Sequence, residues 1–291
     1  MINGKTQGNI VSGIAAVFLG ITFAICGFAV CCLPQTTDML SQRTSAFELS
    51  PYEPGSLTAV ANEVRDFTVE DYGRADLGEE GARAALASVV VDAARTSSAA
   101  GSPTADQWSP AARVVAESPS VDAAPGTAMR ELASVSQAYA LDDEALDHLT
   151  DVYNVVNRVT WPFLGAAVIA AFCLMVALRQ FGTRAAGRAL LGAGAGVLVL
   201  FAALGAWALI DFSSLFAALH GLFFAAGTWT FPYDSLLICL YPTAFWVGMG
   251  VIWLAITCGL SILSVVCGLV LTKRIRIAGK RTLSEEVDEN M

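Results

Sequence analysis

Four long and evenly apolar stretches of the chain, 10–33, 159–178, 189–210 and 243–271, carry no Lys, Arg, Asp or Glu. Crossing a hydrocarbon core of ~30 Å takes about 20 helical residues, and each stretch is long enough. Backbone inside lipid must satisfy its polar groups internally, so each predicts a transmembrane helix. The segments between them are of a different kind. Residues 34–158 mix apolar and polar positions, whereas 211–242 is apolar but broken by Gly, Pro, Asp and Ser. The pattern predicts an all-α polytopic membrane protein with a mainly helical cap between helices one and two. A hairpin at the membrane interface is expected between helices three and four, and 272–291 forms a tail.

Helical spacing orders parts of these segments. Leu141, Ala145, His148, Val152, Val155 and Val159 recur at steps of four and three, which places them on one helical face. Phe212, Phe216, His220 and Phe224 recur every four residues, on a helix expected to end at Gly227. In the cap, 82–126 is rich in Ala, Ser, Pro and Asp, and its Gly101-Ser102-Pro103, Ser109-Pro110 and Ser118-Pro119 breaks predict an elaboration. Gly192 and Gly196 form a GxxxG pair in helix three, expected to serve packing within the bundle.

Charge adds a direction. Lys5 precedes the first helix, Arg179, Arg184 and Arg188 lie between the second and third, and Lys273, Arg274, Arg276, Lys280 and Arg281 follow the fourth. The positive-inside rule puts all three groups, and with them both termini, in the cytoplasm. The cap and the hairpin then face outward. Residues 34–158 hold eight basic and twenty acidic side chains, a net of −12, which makes the cap a poor partner for nucleic acid. None of the seven cysteines lies in the cap, so no disulfide framework is expected there.

Candidate chemistry is sparse. The only two histidines, His148 and His220, each fall just outside a predicted span on the outer side, and histidine is the side chain that exchanges protons near neutral pH. No HExxH spacing points to zinc, and no GxSxG elbow surrounds Ser235 or Cys239. No metal or cofactor is expected.

The motifs around the two histidines resemble a known family. His148-Leu149-Thr150-Asp151-Val152 is similar to the His-x-x-Asp-Val element of the bacterial lipoprotein intramolecular transacylases. Asp211-Phe212, Leu215-Phe216, His220, Phe223-Phe224, Trp229-Thr230-Phe231, Leu240-Tyr241-Pro242 and Phe245-Trp246 resemble that family's second histidine motif and aromatic loop. The likeness covers roughly 127–271, and the cap is larger than the family leads one to expect. It implies an enzyme of the bacterial cytoplasmic membrane acting on diacylglyceryl-lipoproteins among membrane lipid. The sn-2 acyl chain would move to the α-amino group of the N-terminal cysteine, giving lyso-form lipoprotein. His148 and His220 would be the acid–base pair, with neither role assigned. Asp151 or Asp211 would orient them, and Phe216, Phe224, Trp229 and Tyr241 would wall the pocket. The alternative is a non-enzymatic membrane scaffold or envelope assembly factor whose cap binds a partner.

Overall fold

The computed structural model describes residues 3–111, 114 and 124–289. Among them there is no strand. In chain order the α-helices are α1 (Gly4–Cys31), α2 (Pro34–Thr44), α3 (Pro54–Val69), α4 (Arg74–Ser98), α5 (Pro125–Val135), α6 (Asp143–Phe181), α7 (Thr183–Ile210), α8 (Phe212–His220), α9 (Leu236–Leu240) and α10 (Thr243–Glu289). Four are long and apolar enough to cross a membrane: α1, α6, α7 and α10 over Thr243–Lys273. The expected all-helical membrane protein is thus what the chain builds. The polar run after Lys273 contains no proline, and α10 continues through it to Glu289.

The helices sort into two compact units. The first takes in the described parts of Met1–Val30, Val159–Phe212 and Ile252–Met291. Its surface exposes Val168, Val199, Leu209 and Ile210, as suits helices solvated by lipid. Inside it, small and hydroxylated residues do the joining. Ser12 donates to the carbonyls of Gly8 and Ala185, and Ser264 to that of Leu190. Of the GxxxG pair only Gly192 packs closely, where a methyl would stand 3.3 Å from Ala16 Cβ of α1, and the closest approaches fall on other glycines. A methyl on Gly194 would run into the Ser261 carbonyl oxygen, and one on Gly187 would stand 3.0 Å from that of Gly268, whereas Gly196 faces open space. The seven-residue step from Gly187 to Gly194 follows one helix face, which sets the close backbone contact with α10 there.

The second unit takes in Cys31–Arg158 and Ser213–Val251. Its core joins Leu57, Val64 and Phe67 of α3 to Leu86 and Val90 of α4, Met129 and Leu132 of α5, and Leu141 and Leu149 near the start of α6. The stretch expected as an elaboration contributes Ala82, Leu86, Ala87, Val90, Ala94 and Trp108 to that core. Its residues 112–113 and 115–123, including the Ser118-Pro119 break, lie outside the described residues. Helix α9 joins the same core through Leu236, Leu237 and Leu240. Two backbone bonds fix it there: Leu236 N–H donates to the Gln137 carbonyl at 2.8 Å, and Ala46 N–H to that of Cys239 at 3.0 Å.

Candidate functional site

Both histidines belong to the second unit, and local structure sets the position of each. Helix α6 starts behind Asp142, whose Oδ1 accepts the Ala145 N–H at 2.8 Å, with Asp143 and Glu144 in the first turn favoured by the helix dipole. His148 sits one turn further on, buried among apolar neighbours at 9% exposure. His220 is the last residue of α8. This helix ends seven residues before Gly227, the stop expected from sequence. The next residue is Gly221, and the chain leaves the helix through turns in which Phe223 and Phe224 N–H both bond the His220 carbonyl. Phe224 thereby stays beside His220 although the regular helix has ended.

The two imidazoles face each other with ring centroids 6.4 Å apart and planes 27° from parallel. Aromatic rings surround them. Phe216 lies 3.9 Å from His220, Trp229 5.0 Å and Phe224 5.7 Å. Phe224 also meets His148 edge-on at 5.0 Å. Tyr241 reaches the edge of this cluster through Trp246, 6.1 Å away, while its hydroxyl donates to the Ala61 carbonyl in α3.

Two rings that belong to this cluster were not among the expected site residues. Phe231 lies 5.7 Å from His148, and Trp246 lies 5.6 Å from Phe216 and 6.4 Å from His220. Both had appeared in the aromatic motif that carries the family resemblance, Phe231 in the loop and Trp246 in the first turn of α10, without being placed in the pocket.

The two expected carboxylates differ in their surroundings. Asp151 is exposed and acts on His148 through its charge, with no hydrogen bond between them. Asp211 closes α7 in the first unit, its N–H donating to the Trp207 carbonyl at 2.8 Å. Among the described residues, no three His, Cys, Asp or Glu side chains gather where they would hold a metal ion.

Burial sets the protonation of the pair. It pushes His148 down to about 4, with the charge of His220 acting in the same direction and Asp151 opposing. It lowers His220 as well, against the effect of a hydrogen bond to the Phe216 carbonyl. Both rings are therefore neutral at pH 7. His220 Nδ1 lies 3.0 Å from the Phe216 carbonyl oxygen. A carbonyl only accepts, so Nδ1 carries the proton and Nε2 keeps its lone pair. Two further nitrogens are buried without a partner, His148 Nδ1 and Trp229 Nε1. Leaving such a group unpaired costs about 1–3 kcal/mol each.

Fold and site together define a helical membrane protein with a pair of neutral imidazoles enclosed by aromatic rings. Residues 128–246 match the model of the family described as lipoprotein intramolecular transacylase Lit. The matched stretch contains both histidines and the rings around them, and the resemblance noted in the sequence holds across it. No curated protein and no solved structure matches the chain.

Proposed function

We propose that the protein is a lipoprotein intramolecular transacylase. It moves the sn-2 acyl chain of a diacylglyceryl-lipoprotein to the α-amino group of the same molecule's N-terminal cysteine, giving the lyso-form. Attack closes an eight-membered ring through the ester carbonyl carbon, its oxygen, two glyceryl carbons, sulfur, Cβ, Cα and nitrogen. A reaction of this kind requires holding a floppy chain in its closed form and moving protons between nitrogen and oxygen. The observation that carries the reading is the pair of neutral imidazoles 6.4 Å apart within one aromatic enclosure.

Roles follow from the hydrogen bond on His220. With Nδ1–H donated to Phe216, its Nε2 lone pair takes a proton from the attacking amine, whose ordinary pKa is about 8. The N–C bond forms, the ester C–O bond breaks, and the departing glyceryl oxygen needs that proton. His148, neutral with one N–H and one lone pair, hands a proton to the oxygen while recovering one from His220. Both rings return to neutral and no co-reactant is consumed. Phe216, Phe224, Trp229 and Tyr241 shield the centre from water. Asp151 tunes His148 by its charge.

The basic residues orient this machinery, with both termini in the cytoplasm of a bacterial cell and the second unit outside its cytoplasmic membrane. Spans at 10–33, 159–178, 189–210 and 243–271 anchor an external cap at 34–158, and the exposed Leu219, Leu222 and Phe223 seat the 211–242 hairpin in the headgroup region where the ester lies. The reading is tested by giving the purified full-length protein, in vesicles, a diacylglyceryl-cysteine lipopeptide and following it by tandem mass spectrometry. The expected product has unchanged mass with one acyl group on nitrogen. With heavy and light substrates mixed, acyl chains exchanged between peptides, or no N-acyl product, would refute an intramolecular shift.

A further inference from the structure

Attack on an ester carbonyl moves the carbonyl π electrons onto oxygen, and an enzyme gains most by having a hydrogen-bond donor already fixed where that charge develops. The cluster's buried donors are few. The Nδ1–H of His220 is committed to the Phe216 carbonyl, and the imidazole of His148 serves the departing oxygen in the mechanism above. Trp229 Nε1 remains, buried, with no hydrogen-bond partner, on a ring 5.0 Å from His220 and 6.3 Å from Phe216. An indole N–H can only donate, so no rearrangement of its own proton satisfies it.

Two indoles elsewhere in the molecule are paired. Trp108 Nε1 donates to the Pro51 carbonyl and Trp253 Nε1 to that of Ala24, each at 2.8 Å. Trp229 is also held in place by its backbone rather than by a helix face. It follows Gly227, at φ +90°, and Thr228, whose N–H and hydroxyl both donate to the Ala225 carbonyl. A pinned turn thus presents an unused donor beside the base.

We propose that Trp229 is a catalytic residue, its Nε1–H donating to the carbonyl oxygen of the acyl group as it becomes an oxyanion. The assignment rests on the transacylase reading. As the amine nitrogen bonds the carbonyl carbon, the π pair moves to oxygen against Nε1–H. When that pair returns, the bond to the glyceryl oxygen breaks. The indole keeps its proton throughout, and the arriving carbonyl displaces the side chains that cover Nε1.

The test replaces Trp229 with 3-benzothienylalanine, which keeps the bicyclic shape and puts sulfur where the N–H was. In the full-length protein in vesicles, kcat for a diacylglyceryl-cysteine lipopeptide should fall about 10²–10³-fold with KM within about twofold. A kcat within about threefold of the parent overturns the assignment. On the unsubstituted protein carrying ¹⁵N-indole tryptophan, a phosphonate analogue of the tetrahedral intermediate should move the Trp229 N–H resonance downfield. That resonance is the one missing from Trp229→Phe, and its staying in place would equally overturn the assignment, even if the benzothienyl variant fails to fold. Failure of the parent protein to make any N-acyl product would sink the transacylase reading itself. An active parent, inactive histidine variants and an active benzothienyl variant would sink only the role of Trp229.

Discussion

The second unit holds two aromatic clusters of similar ring spacing, and they treat their polar atoms in opposite ways. In the first, Trp108 lies 5.1 Å from Tyr52 and 5.0 Å from Tyr139. Tyr52 donates to the Tyr139 carbonyl, Trp108 to that of Pro51 and Tyr139 to that of Gln107, at 2.7, 2.8 and 2.7 Å. The second cluster surrounds His148 and His220 with rings at comparable distances but leaves His148 Nδ1 and Trp229 Nε1 buried and unpaired. Ring density alone does not distinguish a core from a site. The difference is whether buried donors and acceptors already have partners, because an unpaired one raises the free energy of the resting protein and is relieved only when a ligand supplies the partner.

That contrast predicts a clean division of effects. His148→Gln should lower the acyl-shift rate about 10²–10⁴-fold while leaving the melting temperature within a few degrees of the parent. The same preparation gives both readings, and a large loss of stability with retained rate would move His148 into the structural cluster. Trp108→Ala should do the reverse. It removes a fully buried ring and should cost about 3–5 kcal/mol in denaturant unfolding, with the rate per folded molecule unchanged.

A smaller effect comes from pH. An unfolded histidine binds its proton below about 6.5. Folded His148 does so only near 4, so the unfolded chain holds more protons between these values, and stability falls as pH drops through that window. The acyl-shift rate, corrected for the fraction of free amine, should stay level from pH 8 to below 6.5, because burial also lowers His220. Thermal melts and rates across pH 4–8 check both signs, and His148→Gln should flatten its share of the stability change. Smallest is Tyr52→Phe, which removes one hydroxyl donor and should cost about 1 kcal/mol of stability with no change in rate.

Much of this arrangement was legible in the chain and some was not, for physical reasons. Uncharged runs longer than a bilayer needs announce four helices, because lipid imposes that requirement directly. The two histidines stood out by scarcity and by their apolar stripes. The role of Ala82, Ala87 and Ala94 was hidden because alanine packs in a core as readily as it lines an exposed helix, so an Ala-rich stretch resembles an elaboration when read alone. Phe231 and Trp246 stood in the aromatic motif but were not assigned to the pocket, because their approach to the histidines is set by the fold and spacing along the chain does not encode it. The stop of α8 at His220, ahead of the positive-φ Gly227, was not legible from residue spacing.

The central claim is that the unpaired cluster does the chemistry, and His220 is its proton acceptor. The most direct measurement is the single-turnover rate of N-acyl product formation by His220→Gln and by the parent protein in the same vesicles with the same lipopeptide. The account predicts product from the parent and a rate for the variant at least about 10²-fold lower, with an unchanged melting temperature. A variant that forms the N-acyl product at the parent rate would contradict it.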